Sequence, residues 1–461
     1  MVGRVRGGLV GVGLNQSRWP VLLGFGLVVL FFGSGGESRS ARAAEISSAA
    51  RAMQFARDGA SAAEKGESAT YLEKMTAAAD LRADFPRILV NLAAAQVASE
   101  QPGAAIATLE RLAALGMHSP VERSEDFAPL RGLKEFQAVV KKLAANLHPR
   151  GAGALAFSLR EVTGLIEGIA WREKTGQFFF GDVNGRAVWV RSAGDERLRR
   201  FTAEGGELLG VFGLVVDEVN GALWAATSAV PAMQGFTADQ DGVAALAEID
   251  LATGAVRRTL PAGRRAGDQA SHVLGDLALA ADGGIILTDS GGAGLWRLAP
   301  GGDALNWVVE STEFLSLQGI VLLPSGLAVV SDHANGLLRV DWERSDVRRL
   351  MAPAGTTLIG LDGLALAADG SILAVQNGLR PNRLLKVELD ATAENITAVT
   401  VLESGHLTMA APALGCIATD GDFFFVGNSG WARFDETGGR PSSPRVVPIF
   451  RTSLAPKKTG R

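Results

Sequence analysis

Three oxygen-bearing side chains stand at equivalent places in a repeated pattern of this chain. Glu167, Gln318 and Asp362 each come directly before a glycine that is followed by an apolar residue. Carboxylate and amide oxygens are the ligands that a hard cation such as Ca²⁺ prefers, and a carboxylate can also take a proton from water. If the fold brings these three side chains together, they can form one polar site.

The pattern recurs six times, once with Asp276 in place of the glycine, which predicts that its leading residues lie on a ring. The six leading positions are Glu167, Phe212, Gly275, Gln318, Asp362 and Leu414. Each opens a short apolar stretch that ends at a turn glycine, and most intervals between these glycines are about 44 residues long. A repeat of that length with strands and turns inside it is typical of one four-stranded propeller blade.

The repeats predict the fold class, which is mainly β. We expect a six-bladed β-propeller over residues 156–436, followed by a C-terminal tail at 437–461. The longest interval between turn glycines contains an insertion in blade 2, around Pro231–Val243. Such a loop either shapes a site or is surface decoration, and the sequence favours neither.

The segment before the propeller is predicted to be helical. Residues 45–150 are rich in Ala, Leu, Glu, Lys and Arg, with Pro86 at a helix start and a break at Gln101-Pro102-Gly103. The spacing of small and leucine residues resembles one and a half to two tetratricopeptide repeats. This domain either packs against the propeller as an adaptor, with a possible protein partner, or acts as an independent peptide receptor.

The N-terminal residues 1–44 are predicted to be a targeting segment. Arg4 and Arg6 precede the apolar run Val21–Phe32, and Ala41-Arg42-Ala43 offers a small-x-small cleavage site. An uncleaved N-terminal anchor is the alternative. In either case the remainder of the chain is expected outside the cytoplasm, in the periplasm or secreted.

Composition excludes several classes of function. The 461 residues carry a formal net charge of −4 with both signs interspersed, so nothing indicates binding to nucleic acid or to an anionic membrane. Cys416 is the only cysteine, which rules out an internal disulfide and a cysteine-based metal site. We interpret Cys416 as a buried small apolar residue.

Some motifs resemble a known family of propellers. Glu167-Gly168-Ile169-Ala170-Trp171 resembles the opening blade of the senescence-marker-protein/gluconolactonase/luciferin-regenerating-enzyme family, and Gln318-Gly319-Ile320 and Asp362-Gly363-Leu364 resemble its two later ligand motifs. The resemblance covers most of Gly164–Gly430. It implies a six-bladed propeller with one divalent cation, usually calcium, at the top of the channel.

The resemblance also implies roles for individual residues. Glu167, Gln318 and Asp362 would be the metal ligands, and Asp362 would assist the attack of water on a lactone. Two departures weaken this assignment: Gln318 is one methylene longer than the family's asparagine, and the third and sixth ring positions are Gly275 and Leu414. Asp276, next to Gly275, is assigned to substrate binding. The site could therefore be weaker, remodelled or lost, in which case Glu167 and Asp362 only hydrogen-bond backbone groups.

Two functions follow from these patterns. One is a divalent-metal-dependent hydrolase, acting at the channel mouth on a small-molecule lactone or related cyclic ester. The other is a non-catalytic ligand- or protein-binding propeller with a helical adaptor. Thr288-Asp289-Ser290-Gly291-Gly292 resembles the segment around a serine-protease nucleophile, but we interpret it as a repeated blade turn. His272 and His406 precede blade starts and are minor candidates for the mouth.

Overall fold

The computed structural model describes residues 46–454 except 193, 196, 264–270 and 435–442. The predicted targeting segment 1–44 lies outside these described residues. Within them, no helix has both the length and the apolar character needed to cross a membrane.

The first part of the described chain is helical, as predicted. Its α-helices are α1 (Ser48–Glu64), α2 (Ser68–Leu81), α3 (Pro86–Ala98), α4 (Pro102–Ala114) and α5 (Lys134–Ala145). Pro86 and Pro102 occupy first-turn positions, where the missing N–H would have no helical partner. Each helix packs against the next one along the chain. Ala93 and Ala105 are fully buried between α3 and α4, because small side chains let two helices approach closely.

The remainder of the described chain forms six four-stranded antiparallel sheets, which confirms the predicted fold class. The strands are β1 (Ala154–Val162), β2 (Ile166–Arg172), β3 (Gln177–Asp182), β4 (Ala187–Ser192), β5 (Arg199–Arg200), β6 (Gly210–Asp217), β7 (Ala222–Ser228), β8 (Ala244–Asp250), β9 (Val256–Pro261), β10 (Leu274–Leu279), β11 (Ile285–Asp289), β12 (Gly294–Leu298), β13 (Leu305–Glu310), β14 (Leu317–Leu322), β15 (Ala328–Asp332), β16 (Gly336–Asp341), β17 (Asp346–Leu350), β18 (Leu361–Leu366), β19 (Ile372–Gln376), β20 (Arg383–Leu389), β21 (Ile396–Ser404), β22 (Gly415–Ile417), β23 (Phe423–Val426) and β24 (Arg445–Thr452).

The six sheets are the blades of a closed ring. Blades 1 to 5 each use four consecutive strands, beginning with β2, β6, β10, β14 and β18. Each of these first strands contacts the first strand of the next blade, and β22 of blade 6 contacts both β18 and β2. The first strands are therefore innermost and surround the axis.

Blade 6 closes the ring with strands from both ends of the propeller. Its order is β1-β24-β23-β22, so β1 from before blade 1 forms the outer edge and pairs with β24. The assignment of 437–461 to a tail is therefore corrected, because Arg445–Thr452 is the third strand of this blade. Strand β1 also begins at Ala154, slightly before the predicted start of the propeller. Val447 and Ile449 are fully buried, which explains why this segment joins the sheet.

The helical domain packs on blades 4 and 5. The guanidinium of Arg82 is buried and donates to Asn335 Oδ1 at 2.9 Å and to Asp84 Oδ1 at 2.9 Å. Arg349 of blade 4 donates to Asp84 Oδ2 at 2.7 Å. His118 N donates to Arg380 O of blade 5 at 2.8 Å. These contacts show that the helical domain packs on the propeller.

The docked face is the one at which the innermost strands begin. Leu317 pairs with Asp332, so the turn that follows Asp332 and contains Asn335 lies at the start of β14. In blade 5, Leu361 likewise pairs with Gln376, which places the turn that contains Arg380 at the start of β18. The helical domain therefore lies on the face to which the leading residues of the repeats belong.

Candidate functional site

The leading residue of the repeat lies at a β-bulge in each of the first five blades. In blade 1, Ile166 pairs with Asp182 and Ile169 pairs with Phe180. Strand β2 therefore has one more residue between these two pairs than β3 has. The same extra residue occurs in β6, β10, β14 and β18. A bulge bends its strand and redirects a side chain. The repeated dipeptide is thus the local feature that turns the leading side chain toward the axis.

The glycine that follows the leading residue is needed because the next blade approaches closely. A Cβ at Gly168 would collide with the carbonyl oxygen of Phe212 in blade 2. A Cβ at Gly319 would lie 2.6 Å from Leu364 N, and one at Gly363 would lie 2.8 Å from Leu414 Cα. Blade 3 is the exception, because Asp276 occupies the glycine position there.

Two buried hydroxyls connect neighbouring blades at the same level. Thr288 of β11 donates to the carbonyl oxygen of Gln318 in blade 4 at 2.6 Å. Ser331 of β15 donates to the carbonyl oxygen of Asp362 in blade 5 at 2.5 Å and accepts from Gly319 N at 2.8 Å. These hydroxyls fix the backbone under two of the three predicted ligands. Sequence reasoning missed them, although each directly precedes the turn aspartate of its blade.

The predicted ring residues meet at one small cavity. It is lined by Glu167, Phe212, Gly275, Asp276, Gln318, Asp362 and Leu414. These are the six leading positions together with Asp276. The cavity volume open to water is about 10 Å³, close to what a single water molecule requires. The site therefore has room for one ion or one water, and a larger molecule has to lie outside it.

Three carboxyl groups share this cavity wall, and burial makes their charged forms unfavourable. Glu167, Asp276 and Asp362 are 6%, 9% and 8% exposed. Burial raises the pKa of Asp276 to about 7 and that of Asp362 to about 6. Burial, with repulsion from Asp362, also raises the pKa of Glu167 well above its ordinary value. These carboxyl groups consequently keep part of their protons near neutral pH. A bound cation would favour their ionised form.

Glu167 is held by an indole. Trp431 Nε1 donates to Glu167 Oε2 at 2.8 Å, and the Trp431 ring stacks on Phe212 with centroids 6.3 Å apart. This hydrogen bond opposes the rise in the pKa of Glu167. Trp431 belongs to an apolar cluster that includes Met233 and Phe236. The blade 2 insertion therefore packs beside the site, which the sequence could not distinguish from decoration.

Asp362 is held by an amide. Asn377 Nδ2 donates to Asp362 Oδ2 at 2.5 Å and to the carbonyl oxygen of Pro412 at 2.9 Å. The side chain of Asn377 also hydrogen-bonds His333, whose pKa is lowered by burial. The sequence assigned no role to Asn377 or His333. The strand register offered a signal for Asn377. Gln376 pairs with Leu361, Asn377 directly follows Gln376, and Asp362 directly follows Leu361.

Gln318 and Asp276 occupy different parts of the wall. Gln318 is half-buried, and its Nε2 donates to Ser316 Oγ at 3.3 Å. Asp276 Oδ2 accepts from Ile320 N at 3.3 Å, and its own N–H donates to Thr288 Oγ1 at 3.1 Å. Asp276 therefore joins blades 3 and 4 and also lines the cavity. Its predicted role in substrate binding stays a prediction.

The structure brings the predicted ligands to one cavity but does not converge them on a point. Across the described ranges, no group of three or more His, Cys, Asp or Glu side chains is placed so that it could hold a metal ion. Glu167 and Asp362 each have one oxygen engaged by a side-chain donor. The donor types and the cavity size fit one hard cation. Side-chain rotation would be required to close the coordination shell.

The other tempting motifs are structural. Asp289 accepts from Val273 N, Gly292 N and Trp296 Nε1 at 2.8–2.9 Å, which makes it the blade turn that the sequence indicated. His272 is buried against Asp289 at 2.6 Å. His406 bonds Glu403, away from the cavity lining. Burial raises the pKa of the Cys416 thiol, in keeping with an unreactive apolar role.

Similarity to known proteins is found among solved structures. No protein-family model matches the chain, and no curated protein matches it. A luciferin-regenerating enzyme matches 66% of this chain and 96% of its own, with 12% identity and a TM-score of 0.44. A gluconolactonase from Xanthomonas campestris matches 66% and 93%, with 18% identity and a TM-score of 0.44.

A virginiamycin B lyase from Staphylococcus aureus is similar too, with 14% identity, a TM-score of 0.41 and coverage of 58% of this chain and 80% of its own. The six closed sheets described above confirm the six-bladed architecture that the motifs imply, and the luciferin-regenerating enzyme and the gluconolactonase are among its structural neighbours.

Proposed function

We propose that the mouth of the channel binds one hard divalent cation, with Ca²⁺ as the best match, and hydrolyses a lactone or related cyclic ester there. The observation that carries the proposal is the shared cavity. Glu167, Gln318, Asp362 and Asp276 come from four repeats and meet around a space for one ion. Carboxylate and amide oxygens are the donors that Ca²⁺ prefers.

The electrostatics of the cavity support a cation. Burial makes ionisation of both Glu167 and Asp362 unfavourable, and repulsion from Asp362 disfavours ionisation of Glu167 further. A divalent cation between them would convert that repulsion into attraction, and binding would release protons from the carboxyl groups. Gln318 would add a neutral oxygen without more negative charge.

The residues suit a hydrolysis that begins with proton removal from water. A bound cation would polarise the ester carbonyl and stabilise the charge that develops on its oxygen. Asp362, ionised beside the cation, would accept a proton from the attacking water. Asn377 holds Asp362 in place, and Trp431 holds Glu167 across the cavity. The ester itself would lie above the cavity, on the side of the helical domain and the blade 2 insertion.

We also propose that the protein works outside the cytoplasm. Support comes from the basic residues Arg4 and Arg6, the apolar run Val21–Phe32 and the small residues around Arg42. Cell fractionation of the native protein, with sequencing of its N-terminus, tests this. A cytoplasmic protein that retains Met1 would contradict it.

Titration with Ca²⁺, Mg²⁺, Mn²⁺ and Zn²⁺ tests the cation site. A cation at a hundredfold excess over its dissociation constant should stabilise the fold by about 2.7 kcal/mol. Glu167→Gln and Asp362→Asn should abolish this shift, whereas Asp303→Asn, an exposed aspartate outside the cavity lining, should keep it. The proposal fails if none of the four ions changes the melting temperature of the wild-type protein.

Lactone hydrolysis is tested separately. Wild-type protein with Ca²⁺ should open simple γ- and δ-lactones, and Asp362→Asn should lose this activity even at saturating Ca²⁺, since proton removal is lost as well as charge. Ca²⁺ binding without hydrolysis would leave the metal site and reject the reaction.

A second candidate function is a non-catalytic binding propeller. The helical domain docks on the face that carries the site, so a ligand or protein partner could be held between the two domains. This function predicts a normal fold, no stabilisation by cations and no lactone hydrolysis. The same titrations therefore distinguish the two candidates.

A further inference from the structure

One short loop contacts both the candidate site and the helical domain. It joins β19 to β20 and runs from Asn377 to Asn382. Its first residue hydrogen-bonds Asp362, and its third residue packs into the helical core. Two residues of extended chain span at most about 7 Å, so the two contacts are close together.

At the site end, the orientation of Asn377 is fixed on three sides. The two N–H groups of its amide point to Asp362 Oδ2 and to the carbonyl oxygen of Pro412. His333 hydrogen-bonds the same side chain. Gly378 follows in contact with His333, where a Cβ would lie 2.5 Å from its Cε1. A shift of this loop would therefore move the donor that holds Asp362.

At the other end, the loop is part of the helical domain's packing. Leu379 packs against the buried cluster that contains Leu89, Leu109 and Phe127. The carbonyl oxygen of Arg380 accepts from His118 N at 2.8 Å. The residue after the loop, Arg383, donates to the carbonyl oxygen of Leu115 at 3.2 Å. Helical side chains and backbone thus hold the loop at Leu379 and Arg380, while within the propeller Asn377 N and Gly378 N both donate to Gly360 O at 3.1 Å.

The loop connects the helical core to the carboxylate of Asp362 rather than to the strand that carries Asp362. Asp362 itself lies on β18, whose backbone is held by Ser331 within the propeller. The position of its carboxylate oxygen depends in addition on Asn377. Loosening the helical core at Leu379 would leave the strand in place and free the carboxylate to rotate.

We propose that the helical domain controls the cation affinity of the mouth site by holding Asn377, which positions the Asp362 carboxylate. The inference rests on the proposed cation site and assigns its regulation to the domain interface. Asn377 is a positioning residue. Partners of this kind that orient a ligand typically change metal affinity by about 10–100-fold when they are removed.

Calorimetric titration of the full chain with Ca²⁺ tests the proposal. Asn377→Ala should weaken Ca²⁺ binding by about 10–100-fold, and Leu379→Ala by about tenfold, although Leu379 touches no ligand. The matched control is Ile106→Ala, since Ile106 packs on the same cluster from the second turn of α4. It should lose thermal stability yet keep the wild-type affinity for Ca²⁺.

A pH series adds a measurement that a general loss of stability would not change. Donation from Asn377 lowers the pKa of Asp362, so its removal should move half-maximal Ca²⁺ binding to higher pH. Ile106→Ala should leave that midpoint unchanged. Leu379→Val serves in place of Leu379→Ala if the latter does not fold.

The outcomes separate the inference from the proposed function. Wild-type affinity in both Leu379 variants, or an equal loss in Ile106→Ala, overturns the control by the helical domain and leaves the cation site intact. A loss of Ca²⁺ affinity in Asn377→Ala but in neither Leu379 variant also overturns the control by the helical domain, because Asn377 would then be held by the propeller. If wild type binds none of Ca²⁺, Mg²⁺, Mn²⁺ or Zn²⁺, both proposals fall.

Discussion

The two acidic residues that face each other across the cavity are held by different parts of the molecule. Glu167 receives hydrogen bonds from the indole of Trp431 and the side chain of Ser429, and Asp362 receives one from the amide of Asn377. Both carboxyl groups are buried, and both have raised pKa values. Their immediate surroundings thus look alike, while the structures behind the two donors do not.

Trp431 is supported by residues of the propeller. It packs with Phe212, Met233 and Phe236, which come from blade 2 and its insertion. Asn377 is supported by a loop that the helical domain holds at Leu379. Changes at the domain interface should therefore reach Asp362 and spare Glu167. Under this proposal, the appended domain acts on one half of a site that it does not line.

The largest expected effect concerns the interface itself. Asp84→Ala removes the partner of Arg82, which is 1% exposed. A buried charge left without its partner costs about 3–5 kcal/mol. Denaturant unfolding followed by circular dichroism should show that loss. Glu110→Ala, which breaks the exposed pair with Lys142, should cost less than about 1 kcal/mol. Equal effects in the two variants would mean that the interface carries little stability.

The pH dependence of stability should reveal the buried carboxyl groups. Asp276 has a pKa of about 7 in the folded chain against an ordinary value of 3.8. Between these values the folded state binds more protons than the unfolded state, so stability contributed by Asp276 is present at pH 4 and is lost as pH rises through 7. A shift of this size corresponds to at most about 4 kcal/mol.

The comparison of Asp276→Asn with wild type isolates this contribution. Without cation, the variant should match wild type at pH 4 and be more stable at pH 8. Urea unfolding at each pH gives the two curves. Parallel curves would show that Asp276 titrates normally.

Loss of the indole donor should have a moderate effect. Trp431→Phe keeps an aromatic ring on Phe212 and removes the hydrogen bond to Glu167. An unsatisfied buried partner typically costs about 1–3 kcal/mol, and the pKa of Glu167 should rise further. Trp171→Phe is the control, because its indole bonds Thr419 in an exposed setting. A stability equal to that of wild type would show that the indole bond does not hold Glu167.

The smallest expected effect is the coupling between the two sides. If Glu167 and Asp362 are held independently, Trp431→Phe and Leu379→Ala should have additive effects on Ca²⁺ binding, with a coupling free energy below about 0.5 kcal/mol. Calorimetry on wild type, the two single variants and the double variant measures this coupling. A stronger coupling would mean that the two halves of the site move together.

The repeat made the ring predictable. A leading residue before a glycine, at blade-like intervals, placed Glu167, Gln318 and Asp362 in register although some 200 residues separate the first from the last. The physical reason is local, because each dipeptide forms a bulge and each glycine admits the next strand. Such short-range signals can be read from a sequence.

The donors that hold the carboxyl groups were not predictable in this way. Trp431 follows the last regular repeat, and Asn377 sits in a turn whose position depends on another domain. The third strand of blade 6 was mistaken for a tail because β24 stands apart from the repeat pattern and pairs with β1, the most distant strand in sequence. Contacts between distant segments leave no periodic signal.

Ring closure by β1 and β24 has a consequence for the timing of synthesis. Blade 6 needs Arg445–Thr452, which leaves the ribosome after every other strand of the propeller. Glu167 of blade 1 and Leu414 of blade 6 line the same cavity and cannot be fixed in place before that strand pairs. A nascent chain therefore lacks the sixth blade, and the cavity is completed only after Arg445–Thr452 has left the ribosome.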